Sequence, residues 1–315
     1  MLGWLGRDKK KPGWLAASVD AGGLDFAHAR SKGAGQKMAV TAYGTRPLPK
    51  DSKNALQKAA HDMHFNQYQC TTLLRPGDYQ LLLVEAPNVP STELKAAMRW
   101  RIKDMIDYHV DDATLDALDI PIDEGATNSR ARMMYAVCAR NEVIQGCTRA
   151  FQDADIPLSV IDIRETAQRN VAALYEEPGR GIALAYFADD WGLLTITFRT
   201  ELVFARRLEL GVKQLSAANA ATRKDALDRV ALELQRTFDH FDRQFHYVAI
   251  AKLLVAPQPG QGELAEFLRA SVTPPVETVD LRDKLAFEDT PPDPDVQWRL
   301  FHHFGAALRS ESKAL

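Results

Sequence analysis

The densest hydrophobic patterning in the chain lies at residues 182–211, IALAYFADDWGLLTITFRTELVFARRLELG. Residues 182–187 are an almost unbroken apolar run, 193–198 alternate threonine with large apolar side chains, and 202–210 form a third such stretch. Apolar runs of this length, rich in β-branched and aromatic residues, predict strands, and Asp189-Asp190-Trp191-Gly192 and Arg199-Thr200-Glu201 supply the turns between them. A meander of this kind needs a covering layer for its apolar face. The helix predicted over 225–245 supplies one. Leu227, Val230, Ala231, Leu234, Phe238, Phe241 and Phe245 form its apolar stripe, and Glu233, Arg236, Asp239 and Arg243 lie off it.

The same order of elements occurs earlier in the chain. Strands are predicted at 15–20 and 24–30 around a turn at Ala21-Gly22-Gly23, then at 37–43, followed by a helix at 54–65. Two copies of one strand-rich unit are thus the main organisational feature. Between them, QLLLVE at 80–85 reads as a buried strand. A helix follows, with Ser91 as cap, Glu93 in its first turn, and Leu94, Ala97, Met98, Ile102, Met105 and Ile106 on one face. Strands at 113–120, 132–139 and 158–163 with a helix at 142–154 complete a small α/β insert. After the second unit come a strand at 248–255, a helix at 262–270, a strand at 276–281, a proline-rich surface connection at 290–295 and a helix at 297–309. The expected division is a flexible tail (1–13), a first lobe (14–79, with 164–181 and 282–315 returning to it), an insert (80–163) and a second lobe (182–281).

Composition narrows the function. Hydrophobic content of 46%, charged content of 26% and a net charge of −3 describe a soluble globular protein with no general attraction to nucleic acid. Cys70, Cys138 and Cys147 are odd in number and lack metal-ligand spacing, which fits free thiols in a reducing compartment. No apolar run approaches the roughly 18–20 residues that cross a bilayer. The expected location is the cytoplasm. Trp4 and Leu5 beside Arg7 and Lys9–Lys11 leave two readings of the tail, contact with an anionic lipid surface or a solvated leader.

Two meander-plus-helix units with an insert after the first suggest an α/β, actin-like (ribonuclease H-like) two-lobed fold. Particular residues also carry a family resemblance. ELKAAMRWRIKDMIDYHVDDATLDALDIP at 93–121 resembles the insert of PilM-type pilus biogenesis proteins, most closely their branch in mannose-sensitive haemagglutinin pili (the MshI type). LELQRTFDHFDRQF at 232–245 is similar to the family's long second-lobe helix, FARRLELG at 204–211 to the strand closing its second meander, and FGAALR at 304–309 to its terminal helix. The resemblance implies a cytoplasmic protein peripheral to the inner membrane. It also implies a partner, a PilN-like bitopic membrane protein gripped by its short N-terminal cytoplasmic segment. Relatives bind ATP between the lobes, so a Mg²⁺–ATP switch that signals to the pilus motor ATPase is the competing reading.

An actin-like nucleotide site requires two glycine-rich hairpin turns that offer backbone N–H groups to phosphates, a carboxylate beside each for Mg²⁺, and a Gly-Gly turn against adenosine. Asp20-Ala21-Gly22 keeps the Asp-x-Gly pattern, but Gly23 stands where the family has Ser or Thr. Asp20, Gly22 and Gly23 are therefore the candidate remnant of a phosphate loop, and a plain turn former is the other reading of Asp20. At the second turn Tyr186-Phe187-Ala188 falls where the family has Asp-x-Gly, unless the register slips so that Asp189 or Asp190 serves with Gly192. After the strand at 248–255, Ala256-Pro257-Gln258-Pro259 replaces Gly-Gly, with Gly260 and Gly262 following out of step. The expectation is a scaffold without catalysis, without a bound metal and without a resident cofactor.

Other candidates are weaker. His61, His64, His302 and His303 read as surface histidines, and Asp111, Asp112, Asp116 and Asp119 as a solvated strand edge and turn. Trp100, Arg101 and Lys103 stand out. Trp100 is about 160–200° around the helix from Met98 and Ile102. It belongs either to a recognition surface for an extended partner peptide or to packing against a first-lobe strand.

Overall fold

The computed structural model describes residues 10–20, 22–49, 54–122, 132–259 and 263–310. The predicted lipid-facing residues Trp4, Leu5, Arg7 and Lys9 lie outside that set, as do Gly260 and Gly262.

The first half of the chain runs β1 (Trp14–Asp20), β2 (Gly23–Arg30), β3 (Ala39–Arg46), α1 (Ala55–Asp62) and β4 (Gln69–Leu73). It continues through β5 (Tyr79–Glu85), α2 (Ser91–Ile102), β6 (Ala113–Asp119), β7 (Met133–Arg140), α3 (Asn141–Asp153), β8 (Leu158–Asp162) and α4 (Arg164–Ala173). The second half has β9 (Gly181–Phe187), β10 (Gly192–Phe198), β11 (Glu201–Leu208), α5 (Val212–Leu215) and α6 (Ala220–Gln244). It closes with β12 (Ile250–Val255), α7 (Leu264–Arg269), β13 (Val276–Thr278), β14 (Ala286–Phe287) and α8 (Pro294–Ala307).

Among the described residues three sheets result, with orders β14-β3-β2-β1-β4-β8, β11-β10-β9-β12-β13 and β5-β7-β6. The first two share one plan. In each, an antiparallel meander is extended by two parallel strands next to the first strand of the meander. The repeat read from the hydrophobic pattern is therefore a repeat of topology. β4 was not predicted, because QCTTL is short and carries little apolar alternation. The strand expected at 158–163 in the insert is instead β8, which pairs in parallel with β4 at the edge of the first sheet. The insert's own sheet is β5-β7-β6, with α2 on one face.

The strand predicted as buried at 80–85 is β5, an edge strand on which Tyr79–Leu83 are only half-buried. The other face of the insert leans on the second lobe, where the Tyr135 hydroxyl donates to Val203 O at 3.3 Å and the Tyr247 hydroxyl to Pro121 O at 2.7 Å. α6 begins before the predicted start at 225, since the Asn219 side chain caps it by accepting from Ala221 and Thr222 N–H at 2.9 and 3.0 Å.

Between the two lobes lie α4 and α8. Ala16, Ala27 and Val40 from the first sheet meet Ile182, Leu184 and Tyr186 from the second in one cluster, around Ala167 and Val171 of α4 and Leu300, Phe301 and Phe304 of α8. The helices cross at Gly305, where a Cβ would meet Ala167 O at 2.1 Å, so only glycine permits the approach. α4 is internal. Its Gln168 side chain donates to Leu184 O (2.7 Å), Leu193 O (3.2 Å) and Thr195 Oγ1 (2.9 Å), spending its polar capacity inside the core.

Candidate functional site: the cleft between the lobes

The β1–β2 and β9–β10 turns face the cleft. At the first, Asp20 pairs with Gly23, and the Gly22 N–H donates to Asp20 Oδ1 at 2.7 Å, so the carboxylate is bound to its own turn. Gly23 has φ +126°, and a Cβ there would lie 2.3 Å from Arg46 O, which excludes Ser or Thr at that position. α8 reaches over this turn. A Cβ on Gly22 would meet Arg299 Nη2 at 2.7 Å, and Arg299 Nε is 3.0 Å from the buried Asp25 carboxylate. The next helical turn brings His303 Nε2 within 2.6 Å of Ser18 Oγ. Asp20, Gly22 and Gly23 are thus gathered in one turn as expected, but the space beside them holds a guanidinium.

The second turn is a four-residue connection, Ala188–Asp189–Asp190–Trp191, because Phe187 pairs with Gly192. Ala188 does not adopt positive φ. The turn's carbonyls are already taken, with Val212 N–H donating to Ala188 O at 2.7 Å and Lys213 N–H to Asp189 O at 3.0 Å. Asp190 lies 2.7 Å from Lys213 Nζ on the exposed surface. Tyr186 points into the interior, stacked on Phe301 at 5.5 Å and edge-on to His302 at 4.4 Å. Trp191 stacks on His302 and carries the Arg164 and Arg207 guanidiniums at 5.6 and 5.4 Å. Trp298 Nε1 donates to Phe187 O at 2.6 Å and fixes α8 against the strand end. An aromatic wall therefore stands between the two turns.

His302 and His303 are 2% and 4% exposed, which corrects the surface assignment; His61 and His64 are exposed as expected. Burial holds His302 well below the ordinary histidine range and pushes His303 down to about 3. Both are neutral imidazoles at physiological pH.

At the far end, Ala256, Pro257 and Gln258 follow β12 and border a cavity of about 250 Å³ with Asp280, Pro294 and Gln297. The Gln258 amide nitrogen is buried there with no hydrogen-bond partner. Side-chain hydrogen bonding from Arg282 holds the Asp280 carboxyl down at about 2. Among the described residues no group of three His, Cys, Asp or Glu side chains could hold a metal ion.

The insert places the other predicted residues. Met98 and Ile102 are buried, while Trp100 is 74% exposed, so Trp100 packs on no first-lobe strand. Lys103 Nζ lies 5.4 Å from its ring centroid, and Arg101 reaches Glu85 at the end of β5 at 3.3 Å. At the other end of β5, Tyr79 and Leu81 line a cavity of about 210 Å³ with Arg164, Glu165, Trp191 and Arg207. The Tyr79 hydroxyl donates to Glu165 Oε2 at 2.5 Å, and burial raises the Glu165 carboxyl above its usual range. Tyr79, Arg164, Glu165, Trp191 and Arg299 were not singled out from sequence; the arginines on the wall's two faces lie too far apart in the chain to form a motif.

No protein-family model matches this chain, and no curated protein matches it. Among solved structures, the PilM–PilN type IV pilus biogenesis complex aligns over 94% of this chain and 96% of its own, at 18% identity and a TM-score of 0.68. The fold is actin-like. Two looser likenesses accompany it. The cytoplasmic domain of EpsL, an inner membrane component of the type II secretion system of Vibrio cholerae, covers 92% and 93% of the two chains at 14% identity and a TM-score of 0.47. A Bacteroides thetaiotaomicron protein with an actin-like ATPase fold covers 95% and 99% at 9% identity and a TM-score of 0.48. Among the described residues no helix is long and apolar enough to cross a membrane.

Proposed function

We propose that this chain is an actin-like scaffold of a type IV pilus inner-membrane platform, of the mannose-sensitive haemagglutinin kind, acting by protein contact without nucleotide turnover. It works in the cytoplasm, peripheral to the inner membrane, and grips the N-terminal cytoplasmic segment of a PilN-like bitopic partner. The observation that carries this reading is β5, an apolar edge strand whose leucines are only half covered. Such an edge offers unpaired main-chain groups to an extended peptide and pockets to alternate side chains. The cavity beside Tyr79 and Leu81 receives one end of the segment, and α2 with Trp100 and Arg101 overlooks the other.

What supports the absence of turnover is the crowding of both turns. A triphosphate and its metal need free N–H groups and open carboxylates. Here Arg299 covers Gly22, Asp20 is bound to its own turn, and Asp190 is tied to Lys213. A second reading, a nucleotide-dependent switch coupled to the pilus motor ATPase, has one observation in its favour, the open cavity beside Ala256–Gln258 with its unpartnered amide.

Calorimetry with the N-terminal cytoplasmic peptide of the bitopic partner tests the capture. The peptide binds the parent, and Trp100→Ala weakens it by about tenfold or more, the size expected of an exposed tryptophan anchor. The melting temperature stays unchanged because the ring touches no core. A parent protein that ignores the peptide sinks the proposal.

A further inference from the structure

A second groove adjoins the β5 cavity across β11, sharing Arg206 and Arg207 with it, and its α6 wall has no part in the capture of the bitopic partner. Its floor is the free edge of the second sheet. β11 is the outermost strand there, and the insert touches it through Tyr135 at Val203. The Tyr135 phenol oxygen meets both Val203 O and the Ala205 N–H. Those two groups therefore point off the sheet. Main-chain groups alternate sides along a strand, so the N–H and C=O of Arg207, two residues on, point off the same edge. Among the described residues nothing pairs with them.

The far wall is α6. Arg229, Leu232, Glu233 and Arg236, spaced at i, i+3, i+4 and i+7, share the face that borders the groove, which encloses about 500 Å³ against Arg206 and Arg207. Glu233 is taken by Arg206. Arg229 and Arg236 are exposed, and among the described residues neither is ion-paired to a carboxylate. Between them Leu232 is 50% exposed, a large apolar side chain with no core to join.

An open strand edge walled by a helix is the arrangement that accepts a peptide as an added strand. Two unpaired guanidiniums, one helical turn to either side of a bare leucine, specify the occupant by charge. We infer that this groove docks an extended acidic segment of a protein partner, with carboxylates on Arg229 and Arg236, an apolar side chain on Leu232 and main-chain hydrogen bonds to Arg207.

The test uses the full chain and a short fluorescein-labelled peptide alternating glutamate with valine, read by fluorescence polarisation against its lysine-for-glutamate counterpart. The acidic peptide binds saturably and more weakly as salt rises, and the lysine peptide does not bind. The double variant Arg229→Glu/Arg236→Glu loses about tenfold in affinity, the scale of two peripheral charge pairs, with its melting temperature unchanged since both side chains are exposed. Hydrogen exchange at the Arg207 amide slows when the peptide binds. Equal affinity for the two peptides overturns the inference, as does undiminished binding by the double variant. So does Arg207 exchange that ignores the peptide. Conversion of a parent dimer to monomers by the double variant assigns the groove to a second copy of this chain instead. Full displacement of the peptide by phosphatidylglycerol vesicles assigns it to a lipid surface.

Discussion

At the residue scale, the buried histidines shape how the protein responds to acid, His28 on the far side of the first sheet against Tyr68 and His303 on α8. His28 is enclosed between Thr41 Oγ1 (2.5 Å) and Pro12 O (3.1 Å), and burial pushes it down to about 4 from 6.5; His303 is pushed to about 3. A histidine with a lowered native value stays neutral when folded while the unfolded chain takes up the proton. Its contribution is therefore complete above pH 6.5 and is lost as pH falls toward 4. Each such group weakens folding by about 2 kcal/mol between pH 7 and 5. Urea titrations at those two pH values should show the summed loss for the parent and one about 2 kcal/mol smaller for His28→Gln; an equal loss in both would remove His28 as a source. Sequence had no way to announce this. A His-His pair on a helix reads as surface until tertiary contacts bury it, and Ser18, the partner of His303, is 285 residues away in the chain.

At the element scale, the apolar pieces were legible and the buried polar ones were not. β9 and β10 are buried on both faces and show as near-continuous apolar runs, while β11 and α6 keep a less covered face and an apolar stripe. α4 is the instructive miss. Thr166, Gln168 and Arg169 are buried along with Ala167, Val171 and Ala172, so no apolar stripe exists to be read. The sequence RETAQRNVAA looks solvated, yet Thr166 donates to Asp162, Gln168 to Leu184 O, Arg169 to Glu201 and Asn170 to Gly305 O, and the Arg164 Nε is buried without a partner. The α4–α8 crossing yields a sharp prediction. Gly305→Ala drives a methyl against Ala167 O and should cost about 3 kcal/mol, the upper range for overpacking a core. Thermal unfolding that leaves Gly305→Ala within about 0.5 kcal/mol of the parent would show that the helices slide apart more easily than their packing implies.

At the scale of the whole molecule, the doubled topology and the insert were visible in outline, and the interlobe wall was not. Tyr186 was recognised only as a residue that does not hold a metal and Trp191 only as part of a turn; their role as packing partners of α8 depends on a helix more than a hundred residues downstream. That wall makes nucleotide entry a question about the molecule rather than about a motif. Titration of the parent with Mg²⁺–ATP should release no binding heat at micromolar concentrations. Heat that appears on titration and disappears in Pro257→Gly or Gln258→Ala would return the cavity beyond β12 to the list of working nucleotide sites. Relieving the wall should not restore binding by itself, since the second turn's Ala188 N–H stays donated to Trp191 O at 2.8 Å.

α8 has one further consequence. It supplies the apolar filling against which the first sheet and α4 close, yet it spans Pro294–Ala307, so the ribosome delivers it almost three hundred residues after β1. Until then the nascent chain carries Ala16, Ala27 and Val40 on an uncovered surface. Chains of this size that expose such surface during synthesis are prone to aggregate. The early half therefore benefits from chaperone cover during synthesis, and premature termination before residue 294 leaves α4 and the second sheet to cover that surface without Leu300, Phe301 and Phe304.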